Sequence, residues 1–438
     1  MSVRQCQLRG RRLVGGLTLT LLVAFLVAAC GGGSSSKPQS AGGTIVIGGV
    51  GPLSQPGAVS AGLDMKWAME TAVSDINAQG GVLGKQLQLD FEDTQNRPDV
   101  AATVAKKLVE EKHVAAVVGE YHSGAALAMI PTLEKANVPT VFSETWADAI
   151  TAGDPKSNLP ANPPDIFRIA PSSSYAGSAL TDWLINGHKA KDVIEFYEAS
   201  DFGLGQRDTI KKQLASSGVK LTQIQVQLNQ PDYSSIVARA KQDNPGADAV
   251  VFDVTGDSSY VIEENAYQAG LIKKGTVCVA NQVAQDSPAF WRAVPDGVGC
   301  VFRYVGPVPS QYNAMTSSVA DRYEKQFHGA PKNWVFEAYD SVRLVADAMK
   351  QAGSTDHEKV IKALEQTHFA GAQGEYAFPY GSGNPVPAGK QAWLWHQWPN
   401  PPIQVVEYTK KGQPIKDVVV VWPPQRQTTS GKAYVEPQ

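Results

Sequence analysis

Cysteine is scarce in this chain: four in 438 residues, with no Cys-x-x-Cys pair. That excludes a dense disulfide scaffold and a zinc ribbon. Histidine is scarce too. The seven (His113, His122, His188, His328, His357, His368, His396) show no His-Glu-x-x-His spacing, so surface or core roles are their default. A Gly-x-Ser-x-Gly elbow and a phosphate-cradling glycine loop are missing, which removes two common signs of an enzyme. No enzyme, metal or cofactor is expected. Charge of one sign is also missing. The net charge is −3, with 18% charged residues, so nothing points to nucleic acid or an anionic membrane surface as partner. Beyond the N-terminus no hydrophobic run is long enough to span a bilayer, and the chain is not expected to be a channel.

What is present begins with a processing signal. Arg4, Arg9, Arg11 and Arg12 precede Leu13 to Ala29, an apolar run broken only by Gly and Thr. This reads as a secretory signal peptide over residues 1–29. The run ends Leu26-Val27-Ala28-Ala29-Cys30-Gly31, which resembles a bacterial lipobox. Small residues there suit the signal peptidase, and the Cys30 thiol takes the lipid. The bland alternative is an ordinary cleaved signal with a chance cysteine. Residues 30–43, rich in Gly and Ser, read as a flexible tether. The expected location is extracytoplasmic, lipid-anchored to the outer face of the bacterial cell membrane. Loss of residues 1–29 removes four Arg and no acid, taking the net charge from −3 to −7. With Cys30 lipidated, Cys278 and Cys300 remain as a pair in an oxidising compartment. Both sit in strand-like runs, and strand geometry decides whether they bond.

The length suits two domains, and the body alternates strand and helix signals. Thr44 to Val50 is a β-branched run. Met65, Ala68, Met69, Ala72, Val73 and Ile76 then follow helical spacing until Gly80 and Gly81 stop it. Leu87, Leu89 and Phe91 alternate as in a strand, and Pro98 opens a second helix. Val114 to Val118 and Pro139 to Phe142 read as strands, with Ser123 placed to cap the helix between them. The pattern repeats from Ile166 through Val305, with helices at Val319 to Phe327 and Trp334 to Ala352. Such alternation predicts an α/β fold of two doubly wound parallel-sheet lobes. Ligands would then sit beyond the carboxyl ends of the strands.

Thr44 to Gln86 reads TIVIGGVGPLSQPGAVSAGLDMKWAMETAVSDINAQGGVLGKQ. This strongly resembles the opening of branched-chain amino-acid-type, type I periplasmic binding proteins. Further matches run in register: VAAVVGEYHSGAALAMIPTLEKANVPTVFSE, FRIAPSSSYAG, DYSSIVARAKQDNPGADAVVF and FEAYDSVRLVADAMKQAG. The resemblance covers about Gly43 to Tyr408. It implies two lobes joined by three crossovers: residues 43–167 plus 303–375, and residues 168–302 plus 376–438. It also implies hinge closure on a small-molecule ligand, ABC permease subunits as partners, and a monomer. The resulting expectation is a solute-binding lipoprotein of an ABC importer. A ligand sensor on the same fold, or an enzyme on a related one, are the alternatives.

Carried onto this chain, the resemblance marks ligand contacts. Ser123, followed by Gly124, stands where a serine at a helix start holds the ligand carboxylate; a plain N-cap is the alternative. Thr145 and Ala147 fall near backbone-contact positions. Trp146 either stacks on a ligand or packs beneath the following loop. Phe202, in a loop over residues 201–205, either covers the ligand or covers its own lobe. Thr255 lies in a second-lobe loop that lacks the usual aromatic. Gln282 stands where amino-acid-binding members place a carboxylate for the ligand ammonium. Either Asp253, Asp257, Glu144 or Asp286 replaces that acid, or the ligand is an amide, a urea-like molecule or an aromatic acid.

Overall fold

The computed structural model describes residues 43–154 and 159–428. The expected signal peptide, Cys30 and all of the expected tether but Gly43 lie outside the described residues. Five parallel strands form a first sheet: β1 (Thr44–Gly51), β2 (Gln86–Asp93), β3 (Val117–Gly119), β4 (Thr140–Phe142) and β5 (Ile166–Arg168), ordered β2-β1-β3-β4-β5. The second sheet holds β6 (Asp192–Glu198), β7 (Lys220–Val226), β8 (Ala249–Asp253), β9 (Val277–Ala280) and β10 (Val301–Val305). A small hairpin, β11 (Phe369–Ala370) and β12 (Glu375–Tyr376), precedes β13 (Ile403–Glu407) and β14 (Val419–Trp422). The second sheet runs β14-β13-β10-β9-β8-β6-β7. Strands β6 to β10 are parallel, whereas β13 and β14 are antiparallel additions at one edge. Only the first sheet is therefore wholly parallel. A chain returning late, after every βα crossover is complete, can add an edge hairpin without another helix.

Helices α1 (Val59–Ala78), α2 (Pro98–Lys106), α3 (Ser123–Lys135) and α4 (Ala149–Ala152) accompany the first sheet. Helices α5 (Ser173–Asp182), α6 (Asp201–Ser216), α7 (Ser234–Asp243), α8 (Asp257–Gln268) and α9 (Ser287–Ala293) accompany the second. Then α10 (Ala314–Phe327), α11 (Asn333–Ala352) and α12 (His357–Glu365) return to the first. Each sheet buries both faces. Val118, Val141 and Phe167 join one core with Met65, Met69 and Val342, while their chain neighbours Val117, Phe142 and Ile166 join another with Val104 and Met129. The second sheet repeats the scheme: Ile194, Val250 and Phe302 face one way, and Val193, Val251 and Val301 the other. Two-sided burial explains why these strands read as continuous apolar runs rather than alternating ones. Gly81, at φ +77°, ends α1; a Cβ there would lie 1.9 Å from the Lys85 carbonyl oxygen.

The chain crosses between sheets three times, but two crossings move from their expected places. β10 lies wholly in the second sheet, so the return follows Val305 rather than Phe302. The last crossing follows Trp398, not Glu375, because Tyr376, Phe378 and Trp398 pack in the first sheet's core. Periodicity marks a strand but not the sheet it joins. β9 and β10 are neighbours, and Cys278 is bonded to Cys300, with Cα atoms 4.6 Å apart. In the chain-entropy view, a link across 22 residues stabilises the fold by about 3 kcal/mol.

Candidate ligand-binding cleft

In each sheet the strand order reverses beside one strand, at β1/β3 in the first and at β6/β8 in the second. Crevices open beyond the carboxyl ends of strands at such points. The residues following β3, β4, β6, β8 and β9 meet there. They enclose an inner cavity of about 20 Å³ lined by Tyr121, His122, Ser123, Glu144, Trp146, Glu198, Phe202, Thr255 and Gln282. Tyr121, His122 and Thr255 also line an outer cleft of about 330 Å³, whose walls include Gln55, Asp257, Tyr260, Asp286 and Trp334.

Five of the expected residues thus converge: Ser123, Trp146, Phe202, Thr255 and Gln282. Gly124, Thr145 and Ala147 are buried but do not line the cavity. Ser123 is not a cap. It is the first residue of α3, whose N-cap is His122, and its hydroxyl accepts from the Trp146 and Ala147 N–H groups, each at 3.1 Å. From the other side the buried Arg168 donates Nη1 to the Trp146 carbonyl at 3.2 Å and Nε to Gln397. The 145–147 loop is therefore clamped between α3 and the end of β5. Residues 201–205 are not a loop but the first turn of α6. The Ser200 hydroxyl accepts from the Gly203 N–H at 3.2 Å, and a Cβ on Gly203 would lie 2.2 Å from the Glu198 carbonyl oxygen. The close approach seats Phe202 beside Trp146, edge to face at 5.7 Å. Trp146 thus packs against the opposite half and still lines the cavity.

The acids sort by environment. Asp253 is committed to Arg303 in a buried ion pair. Asp286 caps α9, accepting from the Ala289 N–H at 3.3 Å, and pairs with Lys332 at 3.5 Å. Asp257 lines only the outer cleft. Glu144 lines the inner cavity and accepts from Gln282 Nε2 at 2.9 Å and Asn333 Nδ2 at 3.0 Å. Its buried neighbour Glu337 also accepts from Asn333 Nδ2, at 3.2 Å. Burial raises both carboxyls, and the Glu144 charge raises Glu337 further, well above the usual carboxylate range. Glu198 accepts from both the N–H and the hydroxyl of Thr255, each at 2.7 Å, and burial pushes its carboxyl up. The sequence reading missed Tyr121, His122, Glu198, Asn333 and Glu337. For two of these a signal was available: Glu198 is an acid closing an apolar strand, and Glu337 is an acid on the apolar face of a helix.

Comparison with known proteins agrees with this architecture. A family model described as periplasmic binding protein matches residues 44–387. The chain belongs to the type I periplasmic binding protein family of the branched-chain amino-acid kind. Among relatives, a Leu/Ile/Val-binding protein homolog of Brucella abortus is 24% identical over 80% of this chain and 91% of its own. The branched-chain amino-acid transporter substrate-binding protein LivJ of Streptococcus pneumoniae, solved with isoleucine, superposes at a TM-score of 0.70 with 22% identity. It covers 90% of this chain and 100% of its own. A solute-binding protein of an ABC transporter from Rhodopseudomonas palustris, solved with 3,4-dihydroxybenzoic acid, gives 0.68 with 20% identity, covering 83% and 93%. Among the described residues no helix is long and apolar enough to cross a membrane.

Proposed function

We propose that this protein is the substrate-binding lipoprotein of an ABC importer. It captures a small polar molecule, such as an amino acid, an amide or a related compound, between two lobes. Residues 43–168 with 306–398 form one lobe, and residues 169–305 with 399–428 the other. The observation that carries this reading is the convergence of residues from both sheets on one cavity, spanned by the hydrogen bond between Glu144 and Gln282. A monomer held by a lipid on Cys30 would present the closed form to ABC permease subunits. Closure needs a ligand that binds the closed state better than the open one.

The test is solution scattering of the full chain with and without the molecule that native mass spectrometry finds on freshly purified protein. The expected result is a smaller radius of gyration with ligand. An unchanged radius with every solute offered contradicts the reading. The anchor is tested separately: Cys30→Ala is expected to move the protein from the membrane fraction to the soluble one. Unaltered partitioning would rule out the lipid.

A further inference from the structure

The two compartments have an unusual charge inventory. Glu144 and Glu198 line the inner cavity, and Asp257 and Asp286 line the outer cleft; no lysine or arginine lines either. Burial lowers the His122 ring and so disfavours its charged form. The three buried Lys or Arg side chains among the described residues are committed elsewhere. Arg168 holds the 145–147 loop, Arg303 holds Asp253 and Gln206, and Lys332 holds Asp64 and Asp286.

No Lys or Arg meets either acid: Glu144 accepts from neutral amides and neighbours Glu337, and Glu198 accepts from hydroxyls and one backbone N–H. Burial raises both carboxyls and so disfavours their charge while no cation lies between them. A second observation is independent of charge. Gln282 is 5% exposed and lines the inner cavity, yet its Oε1 accepts no hydrogen bond. Two backbone donors on this wall are taken as well, since the Trp146 and Ala147 N–H groups already point at the Ser123 hydroxyl, whereas the Trp146 indole N–H makes no hydrogen bond. Size adds a third constraint. An inner volume of about 20 Å³ accepts one water-sized group, and the adjoining cleft of about 330 Å³ accepts an organic body.

We propose that the ligand is an amine cation without a carboxylate, its ammonium seated among Glu144, Glu198 and Gln282 Oε1 and its body lying against Tyr121, Tyr260 and Trp334. This rests on the binding-protein reading above and narrows it. The charge also explains closure. Glu144 follows β4 of the first sheet and Glu198 ends β6 of the second, so a cation between them attracts both halves.

The experiment is calorimetry on the full chain with matched probes that differ only in the carboxylate: 3-methylbutylamine against leucine, and 2-phenylethylamine against phenylalanine, with benzoate as an anion. At least one amine is expected to bind at least tenfold more tightly than its amino acid, and benzoate not at all. Glu144→Gln and Glu198→Gln are each expected to weaken that amine at least tenfold. If Glu144→Gln does not fold, Glu198→Gln carries the test. Binding of leucine or phenylalanine as tightly as its amine, binding of benzoate, silence of both amines, or amine affinity unchanged in a folded variant each overturns the inference. In all four cases, contraction of the protein with the molecule it carries would leave the binding-protein reading standing. Absence of contraction would remove that reading too.

Discussion

Ser123 illustrates what a single side chain contributes. A serine after a strand and before a helix reads as a cap, yet its hydroxyl reaches across to the loop that carries Trp146. Removing it leaves two buried N–H groups without an acceptor, a loss on the order of 1–3 kcal/mol each in the worst case. Ser123→Ala is therefore expected to leave the protein folded, lower its melting temperature by several degrees, and weaken ligand binding because Trp146 lines the cavity. Calorimetric affinity equal to the wild type would separate Ser123 from the site. The candidate acids show the limit of reading residues alone. All four suggested replacements for the missing carboxylate stand in cleft-facing loops or strand ends, and nothing in the sequence distinguishes them. In space, the Arg303 pair and the Lys332 pair remove Asp253 and Asp286, and Asp257 lines only the outer cleft, leaving Glu144 beside Gln282.

At the scale of elements, helices announced themselves where the apolar stripe was wide. The stripe of α1, its glycine stop, and Pro98 at the first position of α2 were all legible. The start of α6 was not, because Asp-Phe-Gly-Leu-Gly has poor helix propensity and the turn depends on Ser200 capping and on close packing against β6. Acids on buried helix faces are a second blind spot, and α8 offers a test. Burial pushes Glu263 from 4.5 to about 8. Between those values the unfolded chain has lost this proton while the folded chain retains it, so this group lowers stability as pH rises. Glu263→Gln should match the wild type near pH 4 and exceed it increasingly up to pH 8, by up to a few kcal/mol. Parallel stability profiles from denaturant titrations at pH 4, 6 and 8 would show that Glu263 is not buried as described.

For the whole molecule, function depends on coupling between two sheets that share no strand. Contacts spanning them include Glu144 with Gln282, Gln285 with Asn333 at 2.8 Å, Asp286 with Lys332, Asp148 with Ser174 at 3.1 Å, and Trp146 packed on Phe202. A cationic ligand bridging Glu144 and Glu198 would be attracted from both sides. At about a hundred times its dissociation constant it would add roughly 2.7 kcal/mol of stability.

The amino-acid sequence by itself determined the fold class, the two doubly wound layers and the end of each sheet at which the cleft opens. These follow from local periodicity and from the rule that parallel sheets open at their carboxyl ends. Only the tertiary structure decided where the chain changes sheets, that Cys278 meets Cys300, and which acids are neutralised from within. Those outcomes depend on partners tens to hundreds of residues apart, or on which strands become neighbours. Neither is encoded in any local stretch of side chains.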